Sequence, residues 1–248
     1  MFLDFEKELA AMGENYKDIN CKSDLFDALR KMDSPVLPRT KGRETKYTEK
    51  WVIRRLFATL ASEGEVFYPL SITLRDKPDC LADMAGTKIG IEITEAITKQ
   101  RAWFEALAEN ECPELNILEV GHFGSDAPKR SRDQMRDLLR QSQLTSDGFA
   151  GDRPEQEWAT FIASIMDAKL KKLAADGFEK FDQNWLAIYD NLPLPHINLD
   201  KAIGMLRSII GDYWNAFPCF DKIFIEHNNV LIRLSADSSD QFALCEPN

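Results

Sequence analysis

The segment that most constrains the fold is residues 77–96, KPDCLADMAGTKIGIEITEA, because it reads as two short β-strands around a tight turn. Ala85 and Gly86 are suited to a two-residue hairpin turn. Side chains alternate between the two faces of a strand, so three isoleucines share one face of the second strand: Ile89, Ile91 and Ile93. Glu92 lies on the opposite face. The pattern therefore places an acidic side chain where a covered sheet would bury it.

A second acidic side chain shares the face of Glu92. Asp79 in the first strand falls opposite Glu92 if residues 85–86 form the turn, and opposite Thr94 if residues 86–87 form it. Carboxylates whose Cβ atoms lie roughly 4.5 to 5.5 Å apart across a strand pair repel one another, so the pair requires a cation. Mg²⁺ prefers carboxylate oxygens and waters, and the pattern therefore predicts a metal site. Without metal, Glu92→Gln is expected to leave the protein as stable or more stable.

Apolar spacing divides the chain into alternating helices and strands. Helical periodicity marks three segments: residues 47–62, 155–175 and 199–217. β-rich runs mark four strands and a C-terminal hairpin: residues 65–74, 78–84, 87–96, 184–195 and 221–237. Residues 1–46 are predicted to form a helical N-terminal extension with a linker, and residues 99–153 an insertion that contains one helix. This order predicts an α/β domain over residues 47–248, in which helices flank a central mixed sheet.

The composition disfavours several classes of protein. The net charge of −10 argues against non-specific coating of nucleic acid, although it is compatible with a local basic channel. No apolar run approaches the length of about 18 residues that a membrane span needs, and the acidic N-terminal segment lacks the pattern of a signal peptide. We therefore expect a cytoplasmic protein without membrane association. The five cysteines are scattered and form no CxxC pair, which disfavours a zinc ribbon or a disulfide framework.

The acidic residues of the hairpin resemble the motif of the PD-(D/E)XK nuclease superfamily. A Pro-Asp pair ending at Asp79 is followed, after twelve residues, by the Glu-Ile-Thr triplet that begins at Glu92. A predicted helix precedes the motif, and a helix and a strand follow it. The resemblance implies a restriction-endonuclease-like αβββαβ core within residues 47–191. It also implies hydrolysis of phosphodiester bonds, with Mg²⁺ or Mn²⁺ as cofactor and nucleic acid, expected to be DNA, as partner; a homodimer is compatible with it.

The same resemblance implies a role for each residue of the site. Asp79, Glu92 and the main-chain carbonyl of Ile93 are expected to ligate the metal ion. Thr94 stands where the superfamily has its lysine, and its hydroxyl would orient the attacking water. The superfamily often has a further acid on its first helix, and Glu49 is the candidate for this additional metal ligand.

Another lysine must replace the missing cation if the chain cleaves its substrate. Lys169 falls on the apolar stripe of the helix predicted over residues 155–175, so its ammonium group is expected on the sheet-facing side of that helix. Lys88 lies on the same strand face as Glu92, but at a distance of about 13 Å along the strand. Lys169 is therefore the predicted replacement, and its role would be to offset the charge that develops on the phosphate.

Two other functions stay open. A catalytically degenerate member of the superfamily would keep the fold and bind nucleic acid or a protein partner without cleavage, and the missing motif lysine favours this alternative. An interaction protein whose acidic surface binds a basic partner is supported by the net charge alone. Divalent-ion binding separates the nuclease from the interaction protein, and a cleavage assay separates the nuclease from its degenerate relative.

Overall fold

The computed structural model describes residues 14–32, 45–112, 128–140, 151–192, 194, 196–215 and 218–247. In these ranges eight strands form one sheet, in which neighbours follow the order of the chain: β1 (Asn15–Ile19), β2 (Leu70–Leu74), β3 (Cys80–Met84), β4 (Thr87–Ala96), β5 (Gln183–Asp190), β6 (Lys222–His227), β7 (Val230–Leu234) and β8 (Ser239–Ala243). Six α-helices accompany the sheet in the same ranges: α1 (Lys22–Lys31), α2 (Thr45–Ser62), α3 (Lys99–Glu111), α4 (Arg132–Arg140), α5 (Arg153–Ala174) and α6 (Leu199–Ile209).

The sheet is mixed. Strands β1 to β4 pair antiparallel, β4, β5 and β6 are parallel, and β6 to β8 pair antiparallel again. The parallel strands are joined by crossovers that contain helices, as parallel neighbours require. The expectation of an α/β fold with a central mixed sheet flanked by helices is therefore confirmed.

Helices cover both faces of the sheet. Leu25 of α1 and Phe57 of α2 pack with Ile91 of β4 in the core on one face. Trp158 of α5 packs with Leu186 of β5 in the core on the other face, to which α6 also contributes. Helices α3 and α4 pack against one another in a smaller cluster. The face of β4 opposite its isoleucines therefore lies on the α5 side of the sheet.

The hairpin between β3 and β4 has a type I′ turn. Ala85 (φ 52°) and Gly86 (φ 89°) both have positive φ, which is the geometry that such a turn requires. The register pairs Cys80 at the start of β3 with Ile91. Of the two registers that the sequence allowed, the structure therefore has the one that aligns the two acids of the motif.

The hydrogen-bonded ladder between β3 and β4 ends beside Ile93. A two-residue turn closes with a hydrogen-bonded pair, and such pairs alternate along an antiparallel ladder, so Cys80 and Ile91 form one of them. The next hydrogen-bonded position would pair Ile93 with Pro78, which has no N–H to donate. The C=O of Ile93 therefore lacks its ladder donor and must find another partner.

The N-terminal segment differs from the predicted helices. Residues Asn15–Ile19 form a strand that pairs antiparallel with β2, so the helical prediction was wrong there. The sequence NYKDI buries only Ile19 and has no apolar alternation, and the open edge of β2 supplies its pairing. Residues 1–13 and 33–44 of the predicted extension and linker lie outside the described residues.

Other boundaries also differ. The strand predicted over residues 65–74 begins at Leu70, the helix predicted over residues 199–217 ends at Ile209, and β8 was not predicted. Within the insertion, α4 was expected and α3 was not, while residues 113–127 and 141–150 lie outside the described residues. None of the helices in the described ranges is long and apolar enough to cross a membrane.

Candidate active site

Two lysines of α5 accompany the buried Glu92. The Glu92 side chain is 2% exposed, and its Oε2 atom lies 3.1 Å from Lys169 Nζ and 2.9 Å from Lys172 Nζ. The two lysines are three residues apart and therefore lie on the same side of the helix. A buried carboxylate is tolerated when it is paired with a cation. These two ammonium groups explain how a strand of this sheet can bury a glutamate.

The peptide groups of Ile93 take their partners from two side chains. The Ile93 N–H donates to Asp79 Oδ2 at 2.6 Å, and the Ile93 C=O accepts from Lys169 Nζ at 2.9 Å. The bond from Lys169 supplies the donor that Pro78 lacks, and the Asp79 side chain takes the place of a main-chain acceptor for the Ile93 N–H. The loop before β3 and helix α5 therefore bring a carboxylate and an ammonium group to the main chain of Ile93, directly beside Glu92.

The surroundings of Asp79 favour its protonated form. Burial raises the pKa of Asp79 to about 6, and the negative charge of Glu92 adds to the increase. The hydrogen bond from the Ile93 N–H and the positive charges of Lys169 and Lys172 act in the opposite direction. The surroundings therefore disfavour the ionised Asp79 carboxylate, and an additional cation nearby would stabilise it.

Glu49 of α2 belongs to the same electrostatic cluster. Burial raises the pKa of Glu49 to about 7, and the charge of Asp79 is the second cause of the increase. The positive charge of Lys169 opposes this increase, and the charge of Asp76 adds to it. Helix α2 therefore adds a third carboxyl group to the charges around Asp79.

The remaining predicted residues are placed as follows. Thr94 is half-buried and lies two residues beyond Glu92 on the same face of β4. Lys88 is exposed near the start of β4, and its backbone N–H donates to Asp182 Oδ2 at 2.9 Å. The structure thus joins Asp79, Glu92, Ile93 and Lys169 by direct contacts, brings Glu49 close enough for charge interaction, and leaves Lys88 at the other end of the strand.

Lys172 was missed by the sequence analysis. The signal that could have found it is its spacing, because a residue three positions after Lys169 lies on the same side of a helix. With Lys169 it pairs with Glu92, so these two cations offset the repulsion between Glu92 and Asp79 on which the predicted effect of Glu92→Gln depended. The sequence pattern predicted that Glu92→Gln would leave the metal-free protein as stable or more stable. We now expect this substitution to destabilise it.

The donor atoms of the site are compatible with a hard divalent ion, although they do not form a complete ligand set. Within the part of the chain that the structure describes, no group of three or more His, Cys, Asp or Glu side chains is arranged to hold a metal ion. Glu92 Oε1 is buried and has no hydrogen-bond partner. An unpartnered carboxylate oxygen beside Asp79 fits the oxygen ligands that Mg²⁺ prefers. The two carboxylates and the Ile93 carbonyl are thus a candidate site that waters would have to complete.

Comparison with known proteins gives no match. No family model, no curated protein and no solved structure matches the chain. The functional interpretation therefore depends on the geometry of the site and on the motif residues.

Glu92→Gln is expected to lower the free energy of unfolding of the metal-free protein by about 2 kcal/mol, because the amide cannot neutralise two lysines. Urea denaturation in the presence of a chelator measures this loss. Asp167→Asn removes the partner of the exposed Lys171 on the same helix, at 2.7 Å, and is the matched control. It should change stability by less than about 0.5 kcal/mol. A Glu92→Gln protein that equals or exceeds the wild type would show that repulsion between the acids outweighs the ion pairs.

The stability of the metal-free protein is expected to fall as pH rises between about 4.5 and 7. The raised pKa values of Asp79 (about 6) and Glu49 (about 7) mean that the folded state holds more protons than the unfolded state in this window. Glu226, with a pKa of about 7, contributes in the same direction. The double variant Asp79→Asn, Glu49→Gln should reduce this loss by about 2 kcal/mol, which is less than the full shifts imply because Glu49 is only partly buried and solvent screens its charge.

Denaturation curves at pH 5 and pH 7.5 measure the loss of stability in the wild type and in the double variant. The Glu226 contribution is common to both proteins, so the difference between them isolates the two substituted acids. Parallel pH profiles for the wild type and the double variant would contradict the prediction.

Proposed function

We propose that this chain is a metal-dependent nuclease that hydrolyses phosphodiester bonds of nucleic acid, with DNA as the expected substrate. The observation that carries the proposal is the position of Lys169. Its ammonium group contacts both Glu92 and the Ile93 carbonyl, beside Asp79, and so supplies a cation next to the motif in which Thr94 replaces the usual lysine.

The order of the elements supports a restriction-endonuclease-like core. Helix α2 precedes the antiparallel strands β2, β3 and β4, and α5 then leads to β5, which is parallel to β4. This is the αβββαβ order of the PD-(D/E)XK superfamily. Helices α3 and α4 occupy the insertion between the third strand and the second core helix.

The proposed metal ligands are Asp79, Glu92 and the Ile93 carbonyl, with Glu49 as an additional carboxyl group from α2. The unpartnered Glu92 Oε1 and the raised pKa of Asp79 fit this assignment. A bound Mg²⁺ or Mn²⁺ ion would polarise the scissile phosphate and lower the pKa of a bound water. The Ile93 carbonyl accepts from Lys169, and a divalent ion at the same oxygen would repel this ammonium group, so we expect Lys169 to turn away when the metal binds.

Lys169 and Thr94 have separate roles in this proposal. Lys169 is 19% exposed and can turn from the Ile93 carbonyl toward a phosphate, where its charge would offset the negative charge that develops in the transition state. The Thr94 hydroxyl can orient a water but carries no charge. The threonine alone would therefore leave the developing charge without a cation.

The charges of the site favour one alternative function. Asp79 and Glu92, when ionised, are balanced by Lys169 and Lys172, which weakens the attraction of the site for a divalent ion. A protein with a nuclease-like fold that binds nucleic acid or a protein partner without cleavage would be compatible with this balance.

Metal binding at the proposed ligands is expected to stabilise the protein. Mn²⁺ at about 100 times its Kd should raise the Tm by roughly 5 °C, and Asp79→Asn should abolish this increase. Asp83→Asn is the matched control, because it makes the same change on the same face of β3, and it should retain the increase. Scanning calorimetry with and without Mn²⁺ measures the effect, and equal increments in Asp79→Asn and the wild type would contradict the ligand assignment.

Lys169→Ala is expected to reduce the rate of DNA cleavage on the order of 100-fold, because it removes the cation that offsets phosphate charge. Lys171→Ala is the control on the same helix, since Lys171 is 75% exposed and pairs with Asp167. Cleavage of labelled single- and double-stranded DNA with Mg²⁺ or Mn²⁺ measures both variants. Equal rates in the two variants would contradict the role of Lys169, and a wild type that binds DNA without cleaving it would support the alternative.

A further inference from the structure

Two rings, those of Phe181 and Pro78, lie close to Gly90 beside the candidate active site. Gly90 lies two residues before Glu92 on the same face of β4. A Cβ atom built on Gly90 would lie 2.5 Å from Phe181 Cδ2 and 3.2 Å from Pro78 Cγ. The first distance is shorter than real contacts of a Cβ atom, so any side chain at this position would displace the Phe181 ring. The absence of a side chain thus lets Phe181 and Pro78 lie directly on the strand.

Phe181 belongs to the segment between α5 and β5, and this segment is tied to the loop before β3. The Phe181 N–H donates to Asn184 Oδ1 at 3.3 Å. The Arg75 guanidinium lies 5.9 Å from the centre of the Phe181 ring and pairs with Glu179 at 2.7 Å. The backbone N–H of Arg75 in turn donates to the backbone C=O of Asp79 at 2.9 Å. Two loops therefore meet over Gly90, and one of them carries Asp79.

The position of Pro78 is directly coupled to that of Asp79. Consecutive Cα atoms are 3.8 Å apart across a trans peptide, so a displacement of Pro78 is transmitted to the Asp79 backbone. The short bond from the Ile93 N–H to Asp79 Oδ2 requires the carboxylate to stay within hydrogen-bond range of β4. Contacts that fix Pro78 therefore also fix this carboxylate.

We propose that Phe181, seated on Gly90, is a positioning residue that holds the Asp79 carboxylate at the Ile93 N–H and thereby sets the metal affinity of the site. The part that concerns metal affinity rests on the proposed function, whereas the part that concerns the hydrogen bond does not. Phe181 is half-buried and, among the described residues, lies outside the two main core clusters. Its close approach to Gly90 and its contact with Arg75, whose backbone bonds to Asp79, are thus better suited to positioning than to core stability.

The experiment compares the wild type with Phe181→Ala, Phe181→Leu and the double variant Gly90→Ala, Phe181→Ala. Phe67→Ala is the control, because Phe67 is an exposed phenylalanine away from these loops. Two quantities are measured: the hydrogen exchange rate of the Ile93 amide relative to that of Ile91 without metal, and the Kd for Mn²⁺ by calorimetric titration. The amide of Ile91 is the internal reference because it lies in the β3–β4 ladder.

Phe181→Ala is expected to accelerate the relative exchange of the Ile93 amide about 10-fold, the effect of losing one hydrogen bond. The Kd for Mn²⁺ should rise about 10-fold, as for other residues that orient metal ligands. Phe181→Leu keeps an apolar group over Gly90 and should therefore retain much of the wild-type protection of the Ile93 amide and of the wild-type affinity for Mn²⁺. The double variant should fold, because its new methyl group no longer meets the Phe181 ring and needs only a small shift of Pro78 Cγ, 3.2 Å away. It should resemble Phe181→Ala.

Unchanged Ile93 exchange in Phe181→Ala, with only a lower Tm, would overturn the proposal, because Phe181 would then be a packing residue alone. Faster Ile93 exchange with an unchanged Mn²⁺ affinity would overturn the part that concerns the metal. A wild type that binds no Mn²⁺ would refute the proposed metal site, while the exchange rates would still decide whether Phe181 positions Asp79.

Discussion

A proline cannot donate a ladder hydrogen bond, and the candidate active site lies where this constraint ends the β3–β4 ladder. Pro78 falls at the position opposite Ile93 and has no N–H for the Ile93 C=O, which accepts from Lys169 instead, while the Ile93 N–H donates to the Asp79 side chain. The same lysine then reaches the buried Glu92. One interrupted ladder thus brings together groups from β4, from the loop before β3 and from α5.

Charge balance determines what such a site can do. Glu92 is buried deeply enough that it needs a cation, and the structure supplies it with two lysines of unequal exposure, 19% for Lys169 and 45% for Lys172. A divalent ion at the proposed ligands would share the Ile93 carbonyl oxygen that Lys169 contacts. The proposed chemistry therefore depends on an exchange in which Lys169 leaves the Ile93 carbonyl and keeps its charge close to the substrate. In the proposed nuclease mechanism the cation would come from α5 rather than from β4, where Thr94 carries no charge.

Local patterns predicted a large part of this structure. Strand alternation and the Ala85-Gly86 turn predicted the hairpin, and helical spacing predicted that Lys169 would lie on the sheet-facing side of α5. The packing of the Phe181 ring against Gly90 could not be predicted, because it joins segments that are distant in sequence. Strand β1 was also missed, since its pairing depends on the open edge of β2 rather than on its own apolar pattern.

A crystal structure with Mn²⁺, measured at a wavelength where manganese scatters anomalously, tests the central claim most directly. The account predicts one anomalous peak within coordination distance of the Asp79 and Glu92 carboxylates, with Lys169 withdrawn from the Ile93 carbonyl. It would be contradicted by a map without manganese at these carboxylates, in which Lys169 still contacts both Glu92 and the Ile93 carbonyl.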